Sequence, residues 1–267
     1  MTPIQVMWVT RGALMAVFLG SMQLSSALAE SCRLSPQHAG VTFPVEQVEA
    51  AWVCRLQPII EDFTTANKVG PTRVSLPDPL YEYLLDRPPT AAALVNRLEL
   101  GLYKAETRGA GRYWGDDGEG TSGLVELVYQ DRTHRMYYLE GTHDSVLLRH
   151  IVGKAVVLLQ SIPRKDAAGH EAVETTVVAY TRLDNRLLAG LVSMVRPLVS
   201  STITRKLKKG VEAVNRLGLE MRRNPHRVLF EATDPPALPH DDVVFLQQAL
   251  AGMQASISAP QKDQPSK

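Results

Sequence analysis

One apolar stripe constrains this chain more than any other feature. Leu188, Leu191, Val192, Val195, Val199, Ile203, Leu207, Val211, Val214, Leu217 and Met221 follow one another mostly at steps of three and four, the period of one helix face. The spacing predicts a long helix over about 185–223. Its first half also carries Leu187, Met194 and Leu198, so it is apolar on most sides and must bury more than one face. Gly190 and Pro197 make that half the easier to bend. The second half has an ordinary polar face of Arg205, Lys208, Lys209, Glu212 and Arg216.

The surface that buries the stripe is expected just upstream. Runs rich in β-branched and aromatic residues at 102–108, 113–115, 122–131, 134–141, 154–162 and 171–182 alternate with turn signals such as Gly109-Ala110-Gly111 and Asp131-Arg132-Thr133. Loops this short join adjacent antiparallel strands, which predicts a meander, curved where it covers a core on one side. Before it, Val48, Trp52, Leu56, Ile59, Ile60 and Phe63 recur at helical spacing from Val45 to about Asn67. Gly70, Pro71, Pro77 and Pro79 then break the chain, and short helices are expected at 80–85 and 90–98. Past Asn224-Pro225 the expectation is a proline-rich linker, then a short amphipathic segment with Leu246, Leu250, Met253 and Ile257, and a polar tail.

Residues 1–29 read as a secretory signal peptide: Arg11, the apolar run 13–19 and Ala27-Leu28-Ala29 before Glu30 are its charged, apolar and cleavage regions. An uncleaved anchor needs about 20 apolar residues, and Gly20, Gln23, Ser25 and Ser26 interrupt the run. The expected location is periplasmic or secreted. There, Cys32 and Cys54 are most simply one disulfide; the alternative is a buried Cys54 and an unpaired Cys32. The division expected is a signal peptide (1–29), an N-terminal arm and helix (30–70), a ligand-binding domain (71–230) and a linker with helix and tail (231–267).

The charge balance, Lys+Arg 29 against Asp+Glu 28, argues against a nucleic-acid partner, which calls for a basic excess. HExxH, paired CxxC and P-loop motifs are missing, and Gly120-Thr121-Ser122-Gly123 is one residue short of a nucleophile elbow. No catalytic residue, metal or cofactor is therefore expected. Thr142-His143-Asp144-Ser145 reads as a polar turn, and Asp116, Asp117 and Glu119 as solvated turn residues. Lys206 lies inside the apolar stripe, either meeting a carboxylate or phosphate headgroup or snorkelling to water. Arg205, Lys208, Lys209, Arg216, Arg222 and Arg223 form a basic helix face, suited to peripheral membrane contact or simply solvated and partly balanced by Glu212 and Glu220.

Two short helices, an antiparallel meander and one long C-terminal helix is the element order of the helix-grip fold. From about Leu80 to Arg223 the chain resembles the superfamily of START-type lipid-transfer domains, polyketide cyclases and plant pathogenesis-related allergens. The section from Thr175 to Arg205, where Tyr180-Thr181-Arg182-Leu183-Asp184 runs into an apolar helix containing Pro197, is most similar. The resemblance implies an α+β fold with a curved sheet wrapped around the long helix and an apolar tunnel between them, binding a lipid or other apolar small molecule. Its expected lining is Leu188, Leu191, Val192, Val195 and Leu198 from the helix, with Tyr129 and Tyr138 from the strands. Two further readings stand beside it. One is a cyclase- or hydrolase-type enzyme drawing on Tyr129, Tyr137, Tyr138, Glu140 or His143. The other is a filled-core interaction module docking through the segment around Leu246 to Met253.

Overall fold

Turns of a few residues leave consecutive strands little choice but antiparallel pairing, and that governs most of this molecule. The computed structural model describes residues 32–144, 150–166, 169–184 and 192–258, which form an α+β fold. A two-residue ladder of β1 (Gln37–His38) and β2 (Val41–Thr42) precedes α1 (Ala50–Glu61), β3 (Thr65–Val74), α2 (Asp78–Asp86) and α3 (Pro88–Arg97). The meander follows: β4 (Lys104–Gly109), β5 (Arg112–Asp116), β6 (Thr121–Gln130), β7 (His134–His143), β8 (Ile151–Lys165) and β9 (Glu171–Leu183). Helices α4 (Val192–Arg223), α5 (Pro225–Thr233) and α6 (His240–Ser258) complete the described chain. Residues 1–31, with the expected signal peptide, lie outside it.

The large sheet is antiparallel with order β3-β9-β8-β7-β6-β5-β4. Strand β3 corrects the sequence reading, which carried a helix to Asn67 and took Gly70 and Pro71 for breakers. Helix α1 ends at Glu61, and β3 pairs with β9 from Thr65 opposite Thr181 to Val74 opposite Val173. The register shifts between Val69 and Thr72, because Pro71 has no N–H for the ladder; an edge strand tolerates such a bulge. Helix α5 is a second correction, standing where a linker was expected. Pro225 opens it in the first turn, where a missing N–H breaks no helical bond.

Both faces of the sheet carry packed layers, the outer one over β7 to β9. On the outer face, the N-terminal arm and α1 pack Phe43, Leu56 and Ile59 onto Met136, Tyr138, Val156 and Leu158. The Cys32–Cys54 disulfide ties the arm to α1, with S–S 2.09 Å and Cα–Cα 4.9 Å. On the inner face, α2, α3, the second half of α4, α5 and α6 enclose a core that includes Leu80, Leu94, Leu217, Met221, Leu246 and Leu250. The short segment expected to be a docking device is thus core: α6 is anchored by Asp242, whose carboxylate accepts from Tyr83 and Thr90 and pairs with Arg87 at 2.8 Å. Farther along α4, a small cluster of Leu183 and Val199 with Ile151 and Ile203 packs near the other end. No described helix is long and apolar enough to cross a membrane, and the disulfide is consistent with an extracellular location.

Candidate functional site

Between the inner core and the Leu183–Val199 cluster, α4 lies against edge strand β3, where Asn67 donates to Ser200 and Thr204, but stands off the strands beyond it, leaving a cavity of about 700 Å³. The register explains the gap. Side chains alternate across a strand, so partners opposite one another form rows on one face. One inner row is Gly115, Gly123, Gly141 and Gly153, aligned across β5 to β8. No side chain rises from it. A Cβ at Gly123 would lie 2.5 Å from the Glu140 carbonyl oxygen, and one at Gly141 would lie 2.4 Å from that of Ser122. Only glycine permits so close an approach of β6 to β7.

The neighbouring rows form the walls. Val125, Leu139, Ala155 and Thr181 run on one side of the glycines, with Tyr137, Val157 and Ala179 beyond them. Thr121, His143 and Ile151 run on the other side. Helix α4 contributes Val199, Ile203, Leu207, Gly210, Val214 and Leu217, again at steps of three and four. Gly210 and Ala213 keep that part of the helix side thin. The size falls within the 300–1,000 Å³ common for small-molecule sites.

Few polar groups face this space. At the glycine row's edge, Thr121 Oγ1 and His143 Nδ1 lie 2.8 Å apart. Burial and then the nearby Lys206 ammonium hold the His143 imidazole below its ordinary pKa. Lys206 does not snorkel to water, one of the two outcomes the sequence offers. It crosses to the β5–β6 turn and pairs with Asp117, with Glu119 at 3.8 Å; Lys209 also pairs with Glu119. Asp117 accepts from the backbone N–H of Glu119 at 2.8 Å and of Thr121 at 3.0 Å. Burial alone would raise the Asp117 pKa, but the hydrogen bonds from Lys206 and these amides outweigh it and lower it. At the opposite end, burial pushes the Tyr137 phenol up to about 12.

Several expected lining residues lie elsewhere. Tyr138 follows Tyr137, so the two-residue period turns it to the outer face, where it packs by Trp52 under the Arg55 guanidinium. Tyr129 would share the inner parity of Val125, but the register shifts between Leu127 and Tyr129. That bulge turns Tyr129 outward, and its hydroxyl donates to Gln47 and Asp131. Leu198 is 37% exposed, a helical step off the Val199 stripe. Leu188 and Leu191 lie outside the described residues, as do the side chains of Val192 and Val195, whose backbone opens α4. Leu139 and the glycine row were missed as wall residues, and Tyr137 was named only for the enzyme reading. The available signal was glycine recurring inside strand-like runs, a mark of close approach.

No protein-family model and no curated protein matches the chain. Among solved structures, a conserved protein from Geobacillus kaustophilus is 12% identical, covering 58% of this chain and 95% of its own, with a TM-score of 0.38. The protein XoxI from Bacillus cereus is 8% identical over 60% of this chain and 98% of its own, with a TM-score of 0.39. A protein from Thermobifida fusca is 15% identical over 57% and 93%, with a TM-score of 0.29. These superpositions are loose.

Proposed function

We propose that this protein is exported, to a periplasm or the exterior, and binds a lipid-like or other apolar small molecule between the sheet and α4. The observation that carries the reading is the cavity of about 700 Å³ walled by Gly, Ala, Val and Leu. Burying an acyl or ring carbon there contributes about 0.8 kcal/mol per CH₂, so a modest ligand reaches micromolar affinity without an ionic contact. The helix-grip reading draws support from the order of elements: α2 and α3 between β3 and β4, β3 beside β9, and α4 directly after the last strand. Export draws support from the signal-like N-terminus and the disulfide.

An enzyme of the same architecture is the weaker reading. Of the five loose candidates, only Tyr137 and His143 face the cavity; the Glu140 carboxylate accepts from Tyr138 on the outer face. Membrane contact through α4 is weakened because Lys209, Arg216 and Arg222 already have carboxylate partners; Arg205 and Lys208 still point outward. The test is mass spectrometry of organic extracts from the purified protein, alongside titration with the neutral dye N-phenyl-1-naphthylamine. A co-purifying apolar compound and saturable dye binding are expected. Protein that carries nothing and binds no dye would sink the proposal.

A further inference from the structure

Among the described residues, the charges around the cavity are paired or turned away from it. Lys206, 18% exposed, is the cation that reaches this space from α4, and it is paired with Asp117, itself 22% exposed. Glu119 and Lys209 extend the pair into a group of two cations and two anions. Beyond Tyr137, buried Arg135 meets two carboxylates, Glu82 at 2.5 Å and Asp86 at 2.6 Å, so that end carries excess negative charge. The other charged residues along the wall sit at strand positions whose alternation turns them to the outer face. They are Lys104 opposite Asp116, and Lys154 opposite Glu140 at 3.9 Å. Burial and Lys206 both disfavour the His143 cation.

We propose that the cavity selects an uncharged ligand, an apolar body ending in a hydroxyl or carbonyl, and discriminates against the corresponding carboxylate. The inference rests on the ligand-binding reading above and adds its selectivity. A carboxylate entering the cavity finds no unpaired cation among the described residues. Capturing Lys206 means displacing Asp117, which two backbone N–H groups hold in place and which would be left a part-buried, unpaired anion. A hydroxyl instead needs one hydrogen-bond partner, and Thr121, His143 and Tyr137 are neutral groups able to supply it.

The experiment uses two probes that differ only at one end, all-trans-retinol and all-trans-retinoic acid, each displacing N-phenyl-1-naphthylamine from the mature protein at pH 7.5. Retinol should displace the dye at least tenfold more effectively. In Asp117→Asn, where Lys206 loses its principal partner, the ratio should fall at least tenfold or invert. Lys206→Met, a good helix former of similar length, should keep or widen the preference for retinol in folded protein. Equal or better binding of retinoic acid to wild type would overturn the selectivity while leaving the cavity reading in place. So would an unchanged ratio in folded Asp117→Asn, or a ratio that falls in Lys206→Met. Failure of the dye and both retinoids to bind would overturn the ligand-binding reading itself.

Discussion

The two faces of the sheet are built from the same strands and do opposite things. In β7, Met136 and Tyr138 point outward into a filled layer, each at most 1% exposed. Tyr137, Leu139 and Gly141 point inward and border empty space. Outward partners are large: Phe43, Leu56 and Ile59 from the arm and α1. Around the cavity the inward side is thinner, with a glycine row in the sheet and Gly210 and Ala213 among the larger Val, Ile and Leu residues of α4. Close packing is the default of protein interiors. Around the cavity the inner face departs from that default, although the rest of it packs a core, while the outer layer over β7 keeps to it.

The sharpest way to break this contrast is to hollow out the filled face. Met136→Ala should cost about 2–5 kcal/mol, the lost transfer energy plus the cavity left behind, read as a lower denaturant midpoint with an unchanged m-value. Stability within 1 kcal/mol of wild type would mean that the outer layer is looser than described. Next in size is the disulfide, which holds that layer's arm. Opening the Cys32–Cys54 link, with its sequence separation of 22, should cost about 3 kcal/mol in the chain-entropy model. Urea melts of Cys54→Ser, and of wild type with and without dithiothreitol, check this. Reduced wild type should fall to the level of the variant; a reduced protein as stable as the oxidised one contradicts the clamp.

Much of this arrangement was legible beforehand, and the misses share a cause. The six meander strands and the helix stripe were readable because a covered strand and a half-buried helix each leave a period in the sequence. Two cysteines after a signal-like N-terminus pointed to one pairing. Strand β3 was hidden by Gly70 and Pro71, which signal loops everywhere except at an edge bulge. Tyr138 was assigned to the cavity because both faces of β7 are covered and both sets of alternate residues are apolar. Period alone says which residues share a face, never which face holds the helix. The bulge after Leu127 then reversed the parity of Tyr129. The glycine row belongs to register, a relation between strands that no single run displays.

A smaller effect should appear with pH, again on the filled face. His38 is 2% exposed, flanked by Phe43 and Tyr180, with its Nδ1 3.2 Å from the Tyr180 hydroxyl. Burial lowers its pKa, against a weaker opposing hydrogen bond to the Ser35 backbone. The unfolded chain therefore takes up this proton first. Stability is full above about pH 6.5, the unfolded value, and is lost as the pH falls toward the lower folded value, at most about 1.4 kcal/mol per pH unit. His143, also lowered, contributes in the same direction. Melts of wild type and His38→Gln between pH 7.5 and 5 should show a shallower acid slope in the variant. Identical slopes would remove His38 from the account.

The smallest expected effect on stability is the most informative about the hollow face. Leu139 stands in β7 between outward-facing Tyr138 and Glu140, with its side chain on the cavity wall. Removing a packed leucine costs about 2–5 kcal/mol because neighbours lose contacts and a void opens. Here the void already exists on one side, so fewer contacts are lost and Leu139→Ala should cost less than about 1.5 kcal/mol. The same change enlarges the cavity and removes apolar surface from any occupant, which should weaken N-phenyl-1-naphthylamine binding several-fold. Met136→Ala, three residues away on the same strand, should reverse the pattern, with a large loss of stability and little change in dye affinity per folded molecule. If Leu139→Ala instead destabilises as strongly as Met136→Ala and leaves dye binding alone, the inner face is packed in solution. The two faces would then differ in residue size without differing in purpose.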